Sequence, residues 1–175
     1  VENKFFLMSK KLKIFLLLIA FFAFIFISLL IYINSDSKSI IPVKNASRND
    51  YSQQSMGSPR VGHKHQGADI FAKKGTPVLS ATRGIVIYEG ILKLGGKVVL
   101  VLGPDYKMYY YAHLDTIMTH KLSLLKVGEQ IGKVGNTGNA KFTPAHLHFS
   151  IRNFFPYKQG SYVDPVPFLN KAASR

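Results

Sequence analysis

Residues 97–112 read KVVLVLGPDYKMYYYA, and this stretch indicates the fold class of the chain. It contains two strand-length runs, 97–102 and 108–112, that are rich in β-branched or aromatic side chains. Gly103 and Pro104 divide the two runs, as expected of a turn between strands. The stretch therefore predicts extended structure on both sides of a turn.

Runs of the same kind recur along the C-terminal two thirds of the chain, and glycines separate them at turn spacing. A helix is expected there only near residues 165–172. We therefore predict an all-β sandwich or barrel-like domain over residues 60–170, which leaves 171–175 as a C-terminal tail. The further strand-like runs are residues 76–80, 84–88 and 146–151.

The run at residues 14–33 is apolar, and Ser28 and Tyr32 are its only polar side chains. As an α-helix rising about 1.5 Å per residue, it would be about 30 Å long, which is the thickness of the hydrocarbon core of a bilayer. A small domain has too little surface to cover a helix that is apolar on every side. We therefore predict one transmembrane helix at residues 14–33.

Lysines are concentrated on the N-terminal side of this run. Four lie within the ten residues before it, and only Lys38 lies within the ten residues after it. The positive-inside rule then places residues 1–13 in the cytoplasm and exports the rest of the chain. A cleaved signal peptide is the alternative, but its apolar region is normally about 7–15 residues long and ends in a small-residue cleavage site. An uncleaved anchor is preferred.

Residues 34–59 are rich in Ser, Asn, Asp and Gln and show no hydrophobic periodicity. This composition predicts a flexible linker between the anchor and the domain. Fully extended, such a linker would reach at most about 80–90 Å. The domain is therefore expected to work well away from the membrane surface.

The composition restricts the chemistry of the chain. Its 175 residues include no cysteine, which excludes disulfides, a thiol nucleophile, iron–sulfur clusters and cysteine-type zinc fingers. A metal ion must therefore be held by His, Asp or Glu. The formal charge of +14, from 23 Lys and Arg against 9 Asp and Glu, indicates an anionic partner. Nucleic acid is not the expected partner, because the domain is predicted to be exported.

Two histidine motifs can bring ligating side chains together. In His146-Leu147-His148, alternate residues of a strand point to the same side, so both imidazoles would share one space. In the stretch His65-Gln66-Gly67-Ala68-Asp69, the glycine permits a tight turn that brings His65 and Asp69 together. A catalytic zinc site needs three such protein ligands and leaves its fourth position to water.

Taken in order, these motifs resemble those of the lysostaphin/LytM-type zinc metallopeptidases. The resemblance covers residues 60–168 and implies an antiparallel β fold with a groove whose floor carries one zinc ion. The residues that carry it are His65, Asp69, Gly75-Thr76-Pro77-Val78, Gly84, Val86, Gly95-Gly96, Tyr111-Ala112-His113-Leu114, Gly128-Glu129-Gln130-Ile131-Gly132, Gly135-Asn136-Thr137-Gly138 and His146-Leu147-His148-Phe149.

The resemblance also implies a role for each site residue. Matched by position, His65, Asp69 and His148 are the zinc ligands. His113 and His146 match the two catalytic histidines that do not bind the metal, and the sequence leaves open which of them is the general base. The two remaining histidines, His63 and His120, match no catalytic position and are expected at the surface.

The activity implied by the resemblance is that of a bacterial zinc metalloendopeptidase, which hydrolyses peptide cross-links of peptidoglycan. With the predicted anchor, it would be a single-pass protein of the cytoplasmic membrane, with its N-terminus inside and its domain in the periplasm or outside the membrane. The alternative is a non-catalytic LytM-like regulator that binds and activates other cell-wall hydrolases, since some family members have lost metal ligands. All ligand and catalytic positions are filled here, which favours an enzyme.

Overall fold

The computed structural model describes residues 9–34, 38–60, 63–154 and 161–174. The chain divides into two compact units, residues 1–36 and 37–175. Parts of the predicted N-terminal segment, linker, domain and tail lie outside the described residues, namely 1–8, 35–37, 61–62, 155–160 and 175.

The described residues of the first unit form one helix, α1, Lys10–Asn34. The side chains over Lys10–Ser28 are mostly apolar, and none of them is buried. By length and composition this helix could cross a membrane, but a signal sequence near an N-terminus passes the same test. The predicted transmembrane span at 14–33 lies within α1 and stays a prediction.

The second unit consists mainly of antiparallel strands, which confirms the predicted all-β fold. The strands are β1 (Pro59–Arg60), β2 (His63–Lys64), β3 (Ala68–Phe71), β4 (Pro77–Leu79), β5 (Gly84–Leu92), β6 (Gly96–Leu102), β7 (Lys107–Ile117), β8 (Leu124–Leu125), β9 (Gln130–Val134), β10 (His146–Asn153) and β11 (Tyr162–Val163).

Nine of the strands in the described part of the chain form one sheet. Its successive neighbours are β11, β10, β7, β6, β5 and β8, while β3 pairs with β10, and β9 pairs with both β7 and β4. Strands β1 and β2 form a separate hairpin. This topology sets β10 between β7 and β3, so that the predicted site residues of all three strands are neighbours.

Strand β10 has one face in the core and the other in a groove. Leu147, Phe149 and Ile151 are at most 2% exposed and belong to the core. The intervening side chains point the opposite way and line a groove of about 1050 Å³. The groove residues of β10 are His146, His148, Ser150 and Arg152.

A second helix, α2 (Pro165–Ala173), confirms the short helix predicted near 165–172. The Asp164 side chain caps it by accepting a hydrogen bond of 2.9 Å from the Val166 N–H. Val166 and Leu169 are buried in the core. Two single-turn 3-10 helices also occur, Arg48–Asp50 and Gly138–Ala140.

Residues 38–54 pack on the sheet, contrary to the flexible linker predicted over 34–59. Val43 and Tyr51 are 2% and 4% exposed and belong to the core. Val43 forms a β-bridge with Val78, and Tyr51 forms one with Ile70. The prediction is wrong for this segment because the short apolar run at residues 40–43 and the single aromatic Tyr51 fix an otherwise polar stretch. We call residues 38–54 the strap.

Candidate metal centre and groove

Three side chains converge at the inner end of the groove. Asp69 on β3 and His148 on β10 are directly paired across the two strands, and His65 lies one turn before β3. The Nε2 atom of His65 is 3.1 Å from Asp69 Oδ1 and 3.0 Å from His148 Nδ1. His148 Nδ1 is 2.9 Å from the same oxygen. The structure thus brings together all three residues that the sequence predicts as zinc ligands.

The backbone near His65 determines which of its ring nitrogens carries hydrogen. Nδ1 lies 2.9 Å from the carbonyl oxygen of Ser55, and because a carbonyl can only accept, Nδ1 is the donor. In the neutral ring Nε2 then keeps a lone pair, which faces the Asp69 carboxylate. Two acceptors at this distance repel each other unless a cation or a proton lies between them. The cluster is therefore suited to a cation.

The donor set of this cluster fits zinc. Catalytic zinc takes three protein ligands from histidine nitrogen and carboxylate oxygen, at about 2.0–2.2 Å. In a tetrahedron of that size, neighbouring ligands are about 3.3–3.6 Å apart, slightly more than the separations found here. Within the described residues, His65, Asp69 and His148 are the only group of this kind.

Arg60 binds the second oxygen of Asp69. Its guanidinium is 2.6 Å from Oδ2, which leaves Oδ1 to face the two imidazoles. Burial acts to raise the pKa of Asp69, but hydrogen bonds with His148 and, when its Nε2 is protonated, with His65 outweigh it and hold the pKa well below its ordinary value. Asp69 is therefore ionised at neutral pH, as a metal ligand must be.

His113 and His146 face the same end of the groove, with ring centroids 5.1 Å apart. Nδ1 of His113 donates to the Thr137 carbonyl oxygen at 2.9 Å, and Nδ1 of His146 donates to the Pro144 carbonyl oxygen at 2.8 Å. In the neutral form both rings therefore keep a lone pair on Nε2. His146 Nε2 lies 3.8 Å from Asp69 Oδ1, so this ring borders the cluster directly.

A bulge in β7 turns His113 towards the groove. One extra β7 residue lies between the cross-strand pairs Lys97–Leu114 and Val99–Tyr111. His113 has a φ of 62°, in the left-handed region that residues other than glycine rarely adopt. Regular alternation would send His113 to the core side with Tyr111. Because of the bulge, His113 lines the groove and Leu114 returns to the core.

Two glycine turns hold the carbonyl that binds His113. Gly96 and Gly138 have φ values of 65° and 70°, and a Cβ on either would collide with the backbone of the other turn. The Thr137 hydroxyl links the turns, because it accepts from the Lys97 N–H at 2.9 Å and donates to the Leu114 carbonyl at 2.8 Å. The orientation of the His113 ring is therefore set by backbone geometry.

Burial keeps two histidines of the site, His113 and His148, neutral. Burial, followed by the charges that His146 and His148 would carry, lowers the pKa of His113 to about 4. Burial also lowers the pKa of His148, against the opposite effect of Asp69. Both rings are therefore uncharged at pH 7, as metal ligation and proton acceptance require.

Several supporting residues were missed in the sequence. Ser55 and Arg60 lie in or next to the stretch predicted as linker, where no periodicity marks them. The Thr137 and Pro144 contacts use main-chain carbonyls, which every residue type possesses. Of the two other histidines, His120 is exposed, and the side chain of His63 lies outside the described part of the chain.

Comparison with known proteins identifies the family. The sequence model of Peptidase family M23 matches residues 63–165. The chain belongs to peptidase family M23. This confirms the predicted relation to the LytM-type peptidases.

Relatives in this family include both an activator and an enzyme. The murein hydrolase activator NlpD of Escherichia coli K12 is 32% identical over 117 residues, which cover 66% of this chain and 28% of NlpD. The glycyl-glycine endopeptidase ALE-1 of Staphylococcus capitis is 33% identical over 113 residues, which cover 63% of this chain and 30% of ALE-1. The M23 chain thus spans less than a third of the length of either relative.

A solved structure shares the fold. The catalytic domain of the antimicrobial peptidase lysostaphin from Staphylococcus simulans superposes with a TM-score of 0.63 at 29% sequence identity. The match covers 70% of this chain and 94% of the lysostaphin domain. The β domain of this M23 chain therefore shares the fold of the lysostaphin catalytic domain.

Proposed function

We propose that this chain is a zinc metalloendopeptidase that hydrolyses peptide cross-links of bacterial peptidoglycan. The observation that carries the proposal is the convergence of donor atoms from His65, Asp69 and His148 in a groove that also holds His113 and His146. A structural zinc site normally has four protein ligands, whereas three ligands with an open position are typical of catalysis. Membership of family M23 supports the substrate class.

The described residues divide the chemistry between metal binding and proton transfer. Held by His65, Asp69 and His148, a zinc ion would supply a Lewis acid that polarises the scissile carbonyl and lowers the pKa of a water molecule. In its neutral form, each of His113 and His146 offers an unprotonated Nε2, because Nδ1 donates to a backbone carbonyl. Either ring can accept the proton of the attacking water and, as an imidazolium, donate it to the leaving amine.

A second candidate is a non-catalytic activator of other cell-wall hydrolases, which the similarity to NlpD favours. The two candidates differ in their requirements. Hydrolysis needs a metal site and proton acceptors, whereas activation needs only a surface that binds the other hydrolase. A candidate metal site and two proton acceptors lie in one groove, and their presence together favours the enzyme.

The test uses the full-length chain, purified in detergent and incubated with isolated peptidoglycan with and without a chelator. We expect about one zinc ion per chain, and we expect released fragments, identified by mass spectrometry, that the chelator abolishes. His148→Ala should remove both zinc and hydrolysis. His120→Ala, the same change at an exposed histidine, should leave both unchanged.

Two outcomes would contradict the proposal. Full hydrolysis by His148→Ala would reject the metal assignment. An intact, zinc-loaded chain that releases nothing by itself, but increases release by a second purified murein hydrolase, would favour the activator.

We further propose that α1 anchors the protein in the cytoplasmic membrane, with residues 1–13 inside and the peptidase domain on the opposite side. The apolar surface of α1 and the four lysines before residue 14 support this orientation. Deleting residues 10–34 should move the protein from the membrane fraction to the soluble fraction of a cell lysate. Continued sedimentation with membranes would contradict the anchor.

A further inference from the structure

We propose that an exposed patch beside the start of the strap binds the surface of an anionic lipid bilayer. The patch consists of Lys121, Leu122, Leu124 and Lys126, and we call it the leucine–lysine patch. The inference rests on the membrane anchor proposed above, but it concerns a different surface from the groove, whose described lining includes none of these four residues. It would give the anchored domain a second contact with the membrane.

The patch combines exposed leucines with lysines. Leu122 and Leu124 are 68% and 73% exposed, and Lys121 and Lys126 are exposed beside them. Residues 117–128 contain these two lysines and no Asp or Glu. The carboxylate that follows, Glu129, accepts a hydrogen bond of 2.9 Å from the Lys126 backbone N–H. Leucines that enter the acyl-chain boundary and lysines that meet lipid phosphates are the two contributions to interfacial binding.

The backbone holds Leu122 in an unfavourable conformation. Its φ of 71° lies in the left-handed region, which a leucine rarely adopts. The Leu122 N–H donates to the Val86 carbonyl at 2.8 Å, and the Ser123 carbonyl accepts from the Val86 N–H at 3.0 Å, so the loop is fixed on β5. Such strain is typical of functional positions. A strained and exposed leucine is suited to a contact outside the chain.

The patch lies where the strap begins. After β8 the chain turns, and Gly128 in that turn borders the strap, since a Cβ there would be 3.7 Å from Ile40 Cδ1. The Gly128 N–H donates to the Ser80 carbonyl at 2.9 Å, and the Ile40 N–H donates to the next carbonyl, that of Ala81, at 3.1 Å. The start of the strap and the end of the patch are therefore neighbours on one side of the domain.

The length of the chain keeps this side of the domain near the bilayer. Because the strap packs on the sheet, only residues 35–37 separate it from the end of α1 in the sequence. The four peptide units from residue 34 to residue 38 span at most about 14 Å. With α1 in the bilayer, the start of the strap cannot move far from the lipid surface. A bilayer with anionic headgroups is therefore the occupant that best fits the adjacent lysines and leucines.

The experiment uses single-cysteine variants of the full-length protein, which has no cysteine of its own. Leu124→Cys carries an environment-sensitive fluorophore. Ile91→Cys is the matched control, because Ile91 is 75% exposed and lies on β5 about 20 Å from Ile85, the partner of Leu124. Both proteins are reconstituted into vesicles of brominated phosphatidylcholine with or without phosphatidylglycerol. We expect bromine quenching at 124 with phosphatidylglycerol, weaker quenching without it or at high salt, and none at 91.

Two changes in the patch test its chemistry. In the protein labelled at 124, Lys121→Gln should lower the ratio of docked to undocked domains by about fivefold, the effect of one lysine near an anionic surface. Leu122→Asn should lower it as well without disturbing the loop, because asparagine tolerates the left-handed region. Lys93→Gln, an exposed change between β5 and β6, should leave the ratio unchanged.

Three outcomes would overturn the inference. They are equal quenching at 124 and 91, quenching at 124 that neither Lys121→Gln nor Leu122→Asn reduces, and an emission shift at 124 that depends on protein density without bromine quenching, which would indicate a second copy of the chain. If labelled Leu124→Cys does not fold, as judged by circular dichroism, the same decision is made with Leu122→Cys and Lys121→Gln.

Flotation separates the patch from the anchor. Through α1, the full-length protein should float with vesicles of phosphatidylcholine alone. Flotation only with vesicles that contain phosphatidylglycerol would overturn the anchor, whereas quenching at 124 would still decide the patch. Flotation with both kinds of vesicle but no quenching at 124 would overturn the patch and leave the anchor standing.

Discussion

His113 is held in a backbone conformation that disfavours its own side chain. Its φ of 62° lies in the left-handed region, and the β7 bulge and the Thr137 carbonyl keep it there. For a residue with a Cβ, this region is unfavourable by about 1–2 kcal/mol. Such strain is typical of residues whose side chain must point in a direction that regular structure does not allow.

The strain at residue 113 can be measured as a difference between two variants. His113→Gly should be more stable to urea than His113→Ala by about 1 kcal/mol, because glycine adopts a positive φ without strain. In an ordinary strand the order is the opposite, since glycine is less stable than alanine there by about 0.5–1 kcal/mol. Lys133, exposed on β9, is the matched control, and there the alanine variant should be the more stable. If alanine is the more stable at both positions, residue 113 is not left-handed.

The lowered pKa of His113 predicts how stability changes with pH. In the unfolded chain the ring titrates near 6.5, whereas in the fold burial lowers its pKa to about 4. Between these values the unfolded state binds a proton that the folded His113 does not, so the free energy of unfolding falls as the pH drops from about 6.5 to 4. Measured with a chelator present, His113→Gln should show a smaller fall than the wild type. His120→Gln should show the same fall as the wild type, and equal slopes in all three proteins would contradict the prediction.

For individual residues, the sequence predicts the side chains that form the site better than it predicts the residues that orient them. The i, i+2 spacing of His146 and His148 is enough to place both rings on one face. The position of His113 in the groove depends on an extra residue in β7, and no local pattern predicts that bulge. The Ser55 carbonyl accepts a hydrogen bond from His65, and Arg60 forms an ion pair with Asp69. Only the tertiary structure reveals these two contacts.

At the scale of elements, the close packing of two strands and one turn builds the metal centre. Gly67, in the turn between β2 and β3, lies against β10. A Cβ there would be 2.6 Å from the Phe149 carbonyl oxygen and 2.8 Å from His148 Nε2. The turn therefore has no room for a methyl group while His65 and His148 remain in contact.

We expect Gly67→Ala to weaken zinc binding by about 10- to 100-fold, although no ligand is changed, because the methyl group separates the turn from β10. Competition with a chromogenic chelator measures the affinity, and far-ultraviolet circular dichroism checks that the sheet is retained. Lys64→Ala, an exposed change in the neighbouring hairpin, should bind zinc like the wild type. Unchanged affinity in Gly67→Ala would show that β10 and the turn can move apart without loss of the site.

The sequence predicts the longest strands and misses the strands of two residues. The runs at 97–102 and 108–112 correspond to β6 and to the first half of β7, because both are dense in side chains that favour extended structure. Strands β1, β2, β8 and β11 have two residues each. A strand of two residues is too short to show a hydrophobic periodicity. Such strands form because a neighbouring segment supplies backbone hydrogen-bond partners.

At the scale of the whole molecule, the strap is part of the folded domain. A chain that begins at residue 38 should fold cooperatively and bind zinc. A chain that begins at residue 56 lacks Val43 and Tyr51 from the core and Ser55 from His65, so we expect its free energy of unfolding to be lower by about 3–5 kcal/mol. Urea unfolding of the two chains measures the difference.

Point variants give the matched control for the strap. Val43→Ser should be destabilised in the chain that begins at residue 38, because a buried side chain becomes polar, whereas Lys44→Ser at an exposed position should not be. Equal stability of these two variants would show that the strap adds nothing to the core. The sequence did not reveal this role, because the short apolar run at residues 40–43 and the single Tyr51 lie in a stretch that otherwise resembles a linker in composition.

Because the strap supplies side chains to the core, the place at which a protease cuts the chain would decide the fate of the domain. A cut ahead of residue 38 would release the domain with its core intact. A cut within the strap would sever Val43 or Tyr51 from the sheet that they stabilise and would mark the remainder for degradation. Release and destruction would thus differ by a short step along the chain.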